Sequence, residues 1–393
     1  MRLGWCSTLI VLITLFFLYG VQITMAKFSF DKLKALINPS KNPDLTSAQA
    51  FQRQNLPTLW LLGKTGAGKS SLLQAITGNS AIEIGNGFQP CTLTAMSYAF
   101  PEDLPLIRFL DTRGLGEADY DPSADLAELA KAGHGIVVIM KVDEQEQSAV
   151  VAALKKIRKQ SKIKHLLLIH TAVLGLNGAE REHAINANQH KVAEVWGEDF
   201  TAVSVDFVTE DGTIYQYDQL LAALTNLLPL IGLIADNNQH ATVEERNFQR
   251  VEKEILWYAG TASASDLIPV VGLVSVPMVQ AKMLHSLANQ YGVAWSKKTF
   301  SELIGTLGSS FALQYSVKLA SRQVIKIIPG YGQTVGAVAA AAISFGTTYG
   351  LGRAASYYFY RKSKNEPVSA IEMQAIYQAA LTKGKQAAEY EKT

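Results

Sequence analysis

Residues 63–70 read Gly-Lys-Thr-Gly-Ala-Gly-Lys-Ser, the spacing G-x-x-x-x-G-K-[ST] of a loop that wraps phosphate. The apolar run 58–62 before the loop predicts a buried strand, and the pattern of residues 71–76 after it predicts a helix. The glycines let consecutive backbone N–H groups face inward, and the start of the helix adds its positive end at the same point. This order of elements predicts a binding site for a nucleoside triphosphate.

Each position of the loop has an expected role. Lys69 is placed to reach the β- and γ-phosphates and to act in catalysis, and the Ser70 hydroxyl is placed to ligate Mg²⁺. The remaining nucleotide contacts are expected from the neighbouring positions Gly63, Lys64, Thr65, Gly66, Ala67, Gly68 and Ser71.

Apolar runs alternate with helical patterns from about residue 56 to residue 230, which predicts an α/β domain at 50–235 with a mostly parallel, six-stranded sheet. The predicted strands are 58–62, 95–100, 106–110, 134–140, 164–170 and 202–208. A linker helix is predicted within 236–260, and an all-α, Gly/Ala-rich domain within 261–362. Residues 363–393 are expected to form a C-terminal helix and tail.

A second motif, Asp111-Thr-Arg-Gly114, closes the third predicted strand. Asp111 is expected to hold the Mg²⁺ shell and the Gly114 N–H to touch the γ-phosphate, so that this loop relaxes when that phosphate leaves. Thr92 is the preferred threonine for binding both Mg²⁺ and γ-phosphate, with Thr94 as its rival. Ser70, Thr92 and Asp111 are therefore the predicted metal ligands.

These motifs give the chain a family resemblance. With Gln-Pro-Cys-Thr at 89–92 and Asp-Thr-Arg-Gly-Leu-Gly-Glu at 111–117, the first domain resembles the Era-like branch of bacterial P-loop GTPases. The region from 261 to about 360 is similar to the uncharacterised helical domain of YcjF-type inner-membrane proteins. The resemblance implies a GTPase that binds GTP, GDP and Mg²⁺ and has a membrane-linked tail. Three lysines, at 27, 32 and 34, follow the apolar stretch near the N-terminus while only Arg2 precedes it. By the positive-inside bias this favours the cytoplasmic face of the bacterial inner membrane, with the cytoplasm as the alternative.

The base-recognition motif departs from this family. The expected [NT]-K-x-D should follow the fifth strand, but the chain offers Thr171 there and neither the lysine nor the aspartate that grips guanine. Met140-Lys-Val-Asp143 imitates the motif one strand early, and we interpret it as a decoy because strand order fixes which loop faces the base. Ser204 stands where the family has a base-contacting backbone turn. Because the aspartate that grips guanine is missing, the choice between guanine and adenine stays open.

A further departure concerns hydrolysis. Leu115 follows Gly114, where many GTPases have a glutamine that orients the attacking water, so intrinsic turnover is expected to be slow. Arg113 is the candidate to supply charge to the transition state, either in cis or across a homodimer formed through the GTPase domain. Its alternative is an exposed switch residue.

Two segments raise the question of a membrane. Residues 1–26 hold an apolar stretch that predicts an anchor or a signal peptide, unless the true start is Met25. Residues 327–352 carry no charge and have glycines four residues apart, which fits either a membrane hairpin or a bundle packed through small residues.

Composition narrows the partners. The formal net charge of +2 gives no global reason to expect nucleic acid, and the two cysteines, Cys6 and Cys91, predict no disulfide framework. The histidines show no metal-ligand spacing. The leading hypothesis is a membrane-associated GTPase switch. The alternatives are a ribosome- or RNA-associated GTPase and a nucleotide-binding scaffold with little turnover.

Overall fold

The computed structural model describes residues 43–78, 89–90, 95–112, 133–160, 163, 165–209, 212–235, 242–267, 272–308 and 335–389. The strands are β1 Thr58–Leu62, β2 Gln89–Pro90, β3 Ala95–Phe100, β4 Ile107–Thr112, β5 Gly133–Lys141, β6 Leu166–Thr171 and β7 Thr201–Ser204. The helices of the sheet-containing part are α1 Pro43–Gln54, α2 Lys69–Thr77, α3 Ser148–Gln160, α4 Gly178–Trp196, α5 Tyr217–Leu227 and α6 Leu230–Ala235. The later helices are α7 Val243–Leu267, α8 Gly272–Gln290, α9 at 297–308, α10 Val335–Ser363 and α11 Ala370–Glu389.

The seven strands form one sheet in the order β2-β3-β4-β1-β5-β6-β7. The pairs from β4 through β7 are parallel, whereas β3 is antiparallel to both β2 and β4. All five residues of β1 are buried, as expected for a central parallel strand covered on both faces. The sheet therefore has the mostly parallel arrangement that the sequence predicts.

All six predicted strands are confirmed, and the two-residue strand β2 is added at one edge. The last strand ends at Ser204, so the prediction that it reaches residue 208 is wrong. The reason is local: the Asp206 carboxylate accepts a hydrogen bond from the Val208 N–H at 3.2 Å, and such a side-chain bond competes with strand pairing.

The two faces of the sheet have separate apolar cores. One core joins Trp60 and Met140 to α3 and α4 through residues such as Leu154 and Trp196. The other core joins Leu61 and helix α2 to the later helices, and Ile255 of α7 belongs to the same continuous cluster. The α/β part and the helical part therefore share one hydrophobic core.

Helix α1 reinforces this junction. Its Gln52 side chain donates to the Trp257 carbonyl at 3.3 Å and accepts from the Thr261 hydroxyl at 2.6 Å, and both partners lie on α7. The Lys253 ammonium lies 4.9 Å from the ring centroid of Phe100 at the end of β3. Helix α7 thus contacts both the segment before the sheet and the β3–β4 hairpin.

Polar contacts join the later helices to one another. Tyr349 of α10 donates to the buried Glu252 carboxylate at 2.6 Å, and Gln280 of α8 donates to Thr348 at 3.0 Å. Small residues bring α10 and α11 together, because a Cβ on Gly346 would lie 2.6 Å from Lys385 Cγ. This part has the small-residue packing expected of a bundle.

No helix in the described ranges is both long enough and apolar enough to cross a membrane. The transmembrane helix predicted within 261–352 is therefore not found in the part of that region that the structure describes. Residues 1–26, the other predicted membrane segment, lie outside the described residues.

Candidate nucleotide-binding site

The phosphate loop lies where the sequence predicts it, between the buried strand β1 and helix α2, which begins at Lys69. The backbone of Gly68 is left-handed, with φ of 105°, and Gly66 has φ of 79°. Ser70 and Ser71 form the first turn of α2, which places the helix's positive end at this loop. The described loop positions predicted to bind nucleotide are therefore brought together.

Two glycines of the loop are required by close approach. A Cβ on Gly63 would lie 2.6 Å from the carbonyl oxygen of Ile139 on β5, which is closer than side-chain atoms come to backbone. A Cβ on Gly68 would lie 3.3 Å from Thr171 and 3.4 Å from the Phe207 ring, on a backbone that already has positive φ. Glycine keeps the loop against the ends of β5, β6 and β7.

Lys69 is fixed at the centre of the site. Its ammonium donates to the carbonyl oxygens of Gly63 at 2.7 Å and Lys64 at 3.0 Å, and Asp111 Oδ1 is 3.7 Å away. Burial lowers the pKa of Lys69, and the Asp111 charge offsets part of that effect. The cation predicted to hold phosphate is thus curled back over the loop and paired with the carboxylate at the end of β4.

Thr171 supports the loop directly. It ends β6, is buried, and donates from its hydroxyl to the Ala67 carbonyl oxygen at 2.7 Å. The first position of the degenerate base motif therefore contacts the phosphate loop.

The loop after β5 lies beside the phosphate loop. Lys64 donates to the Glu146 carbonyl oxygen at 3.0 Å and forms a salt bridge with Glu144 at 3.2 Å. Lys141 and Asp143 of the imitation motif pair with each other at 2.8 Å. Lys141 ends β5, one strand before β6, so the structure keeps this motif at the position that led us to interpret it as a decoy.

Asp206 and Phe207 are residues of this site that the sequence analysis did not select. Ser204 ends β7, and the chain then turns so that Asp206 Oδ2 accepts from the Leu174 N–H at 3.0 Å. Phe207 lies against Gly68. The one clue in the sequence is a charged residue inside the mostly apolar stretch 203–208, which the sequence pattern assigns to a strand.

Several predicted residues cannot be placed. Thr92, its rival Thr94, Arg113, Gly114 and Leu115 lie outside the described residues. Their roles stay predictions.

The predicted metal ligands that the structure describes have the chemistry that suits Mg²⁺. A hydroxyl from Ser70 and a carboxylate from Asp111 are oxygen ligands, which this ion prefers over nitrogen and sulfur. No group of three or more His, Cys, Asp or Glu side chains in the described part of the chain is arranged to hold another metal. With Mg²⁺ bound, the ion would neutralise phosphate charge beside Lys69.

Comparisons with known proteins agree with this site. Residues 58–172 match the model of a family described as a 50S ribosome-binding GTPase. A search of curated proteins found no match.

Solved structures with some similarity include a bacterial selenocysteine-specific elongation factor, EF-Sec, at 16% identity and a TM-score of 0.33, covering 44% of this chain and 28% of that one. Toc33 from Arabidopsis thaliana, in complex with GDP and Mg²⁺, is 17% identical with a TM-score of 0.33, covering 47% of this chain and 90% of that one. This chain thus spans little more than a quarter of the EF-Sec structure. The family match and the site geometry together identify a P-loop GTPase domain, followed by a helical region.

Proposed function

We propose that this chain is a Mg²⁺-dependent guanine-nucleotide switch with slow intrinsic hydrolysis. The observation that carries the proposal is the position of Lys69 at the start of α2. Its ammonium is held by two loop carbonyls and lies 3.7 Å from the Asp111 carboxylate. When phosphate binds, Lys69 exchanges these carbonyls for phosphate oxygens, and the N–H groups of the loop and α2 face the same charge. Ser70 and Asp111 would hold Mg²⁺ there.

Slow turnover follows from the residue after the second motif. The Leu115 side chain has no polar atom that could orient a water. The phosphate loop therefore supplies positive charge, but the residue after Gly114 does not position the attacking water. We propose that Arg113 completes the site in a homodimer or with a partner. In that case, the turnover per molecule should rise with protein concentration. Fast hydrolysis that does not depend on concentration would contradict slow intrinsic turnover.

The switch would act on the helical region. Asp111 lies on β4, and the partner strand β3 ends at Phe100, whose ring faces Lys253 of α7. The α/β part and the later helices share one apolar core. Release of γ-phosphate at β4 would therefore change the packing beneath α7.

Hydrogen exchange tests this coupling. Full-length protein loaded with GDP or with a non-hydrolysable GTP analogue should differ in amide exchange along α1 and α7, because both helices pack at the junction. Lys69→Ala, which should not hold nucleotide, provides the control and should show no difference between the two conditions. Identical exchange in wild-type protein under the two loading conditions would refute the switch.

Membrane association and the Era-like and YcjF-type assignments stay proposals. The support for a place at the cytoplasmic face of a membrane is the apolar stretch within 1–26 and the lysines at 27, 32 and 34 that follow it. Ribosome association is the second candidate, because the matching family is described as ribosome-binding. Fractionation separates them: the first predicts a membrane pellet that resists high salt, and the second a ribosomal peak that salt disperses.

A further inference from the structure

The base-recognition loop lacks its aspartate, and a carboxylate from the next loop binds the backbone at the position where that aspartate is missing. The degenerate motif runs from Thr171 to Leu174, so Leu174 occupies the position of the missing acid and its side chain can accept no hydrogen bond. The Leu174 side chain is 45% exposed. Asp206 Oδ2 is 3.0 Å from the backbone nitrogen of this same residue.

The surroundings place Asp206 beside the nucleotide site. Thr171, three residues before Leu174, is bonded to the phosphate loop, and Phe207, the residue after Asp206, contacts the loop at Gly68. The carboxyl ends of parallel strands face one edge of the sheet, where ligands of such folds bind. Asp206 therefore joins its own loop, after β7, to the loop after β6, and both loops approach the phosphate-binding loop.

Asp206 is 7% exposed, and backbone groups hold it in place. Oδ1 accepts from the Val208 N–H at 3.2 Å and Oδ2 from the Leu174 N–H at 3.0 Å. Each carboxylate oxygen has two acceptor positions, so one further hydrogen bond per oxygen can form. Lys141 is nearby, but it forms its salt bridge with Asp143 and not with Asp206. Its pKa is raised mainly by Asp143 and only weakly by Asp206.

We infer that Asp206 is the base-reading residue of this chain and accepts hydrogen bonds from the N1–H and the 2-amino group of guanine. The inference rests on the proposed guanine-nucleotide function. Two adjacent carboxylate oxygens match two adjacent donors on the guanine edge, as in the fork-like pairing of carboxylates with other double donors. Adenine has neither of these donors. The specificity missing from the loop after β6 is thus supplied by the loop after β7.

Calorimetric titration of the full-length chain with GDP, ADP and xanthosine diphosphate, all with Mg²⁺, tests the assignment. Xanthine has a carbonyl oxygen where guanine has its 2-amino group. Asp206→Asn should therefore weaken GDP binding at least about tenfold and strengthen xanthosine diphosphate binding at least about tenfold, because the amide offers a donor to that oxygen. Loss of a purely structural bond would weaken both ligands equally.

Asp143→Asn is the matched control, since it makes the same change in the imitation motif, and it should alter neither affinity. If wild-type protein prefers GDP to ADP but Asp206→Asn leaves the ratio of GDP to xanthosine diphosphate affinity unchanged, Asp206 does not read the base and the proposed function stands. If wild-type protein does not prefer GDP, the proposed function itself fails.

If Asp206→Asn does not fold, the wild-type chain still decides the matter. Inosine diphosphate lacks the 2-amino group, so it should bind at least about tenfold more weakly than GDP if a carboxylate accepts from that group. Equal affinity for the two would overturn the inference.

Discussion

The buried His170, which precedes the base-recognition loop after β6, should make the free energy of unfolding fall at acidic pH. His170 lies on β6, is 0% exposed, and neither ring nitrogen has a hydrogen-bond partner among the described residues. Burial lowers its pKa from 6.5 to about 4. The imidazole is therefore neutral in the folded protein at pH 7, and protonation requires placing a charge among apolar side chains.

The size and sign of the effect follow from this shift. The unfolded chain takes up a proton near pH 6.5, whereas the folded chain does so only near pH 4, so stability present above pH 6.5 is lost as the pH falls between these values. The full shift corresponds to about 3 kcal/mol in the free energy of unfolding, of which about 2 kcal/mol is lost by pH 5. Other groups titrate in this range too, so only a difference between variants isolates His170.

His170→Leu removes the titrating ring and keeps an apolar side chain of similar size. Urea unfolding at pH 5 to 8 can be followed by the fluorescence of Trp60 and Trp196, which lie in the core on one face of the sheet. The stability difference between the variant and wild-type protein should grow by about 2 kcal/mol from pH 8 to pH 5. His183→Gln, an exposed position on α4, is the control and should follow wild-type protein. A constant difference between His170→Leu and wild-type protein across this pH range would refute the reasoning.

Three further changes test the site and the helical region. Thr171→Val removes the hydrogen bond to Ala67 and should weaken nucleotide binding about fivefold to tenfold, with Thr171→Ser restoring it; an unchanged affinity by calorimetry would show that this bond does not support the loop. Gly346→Ala should destabilise the α10–α11 contact by about 1–3 kcal/mol in urea unfolding, whereas Gly305→Ala, where a Cβ meets open space, should be neutral or stabilising; equal effects would argue against close packing at Gly346. Arg353→Met should lower stability by about 3 kcal/mol because it leaves Glu244 without the bidentate partner that lies 2.7 and 2.8 Å away, and the additional change Glu244→Gln should recover part of the loss.

Much of the α/β fold is predictable because its signals are local. The apolar run of β1, the glycines of the phosphate loop and the end of β4 at Asp111 each identify an element within a few residues. The predicted end of β7 is too late because the turn that the Asp206 carboxylate makes is signalled in the sequence only by one charged residue among mostly apolar neighbours.

The proposed base-reading residue is placed by contacts between distant parts of the chain. Asp206 and Leu174 are far apart in sequence, and only the pairing of β6 with β7 brings their loops together. The contact of Gln52 with α7, across the junction between the two parts, is also invisible in the sequence because it depends on how the helices dock. The local sequence pattern does not show which residues will contact each other when distant parts of the chain pack together.

The most direct test of guanine-nucleotide binding at the phosphate loop is one calorimetric comparison. Full-length wild-type protein and Lys69→Ala would be titrated with GDP and with ADP in the presence of Mg²⁺, after confirming that both proteins show the same cooperative unfolding. We expect wild-type protein to bind GDP at least about tenfold more tightly than ADP, and Lys69→Ala to lose measurable binding of both because the phosphates lose their central cation. Equal affinity of wild-type protein for GDP and ADP, or undiminished GDP binding by Lys69→Ala, would contradict the account.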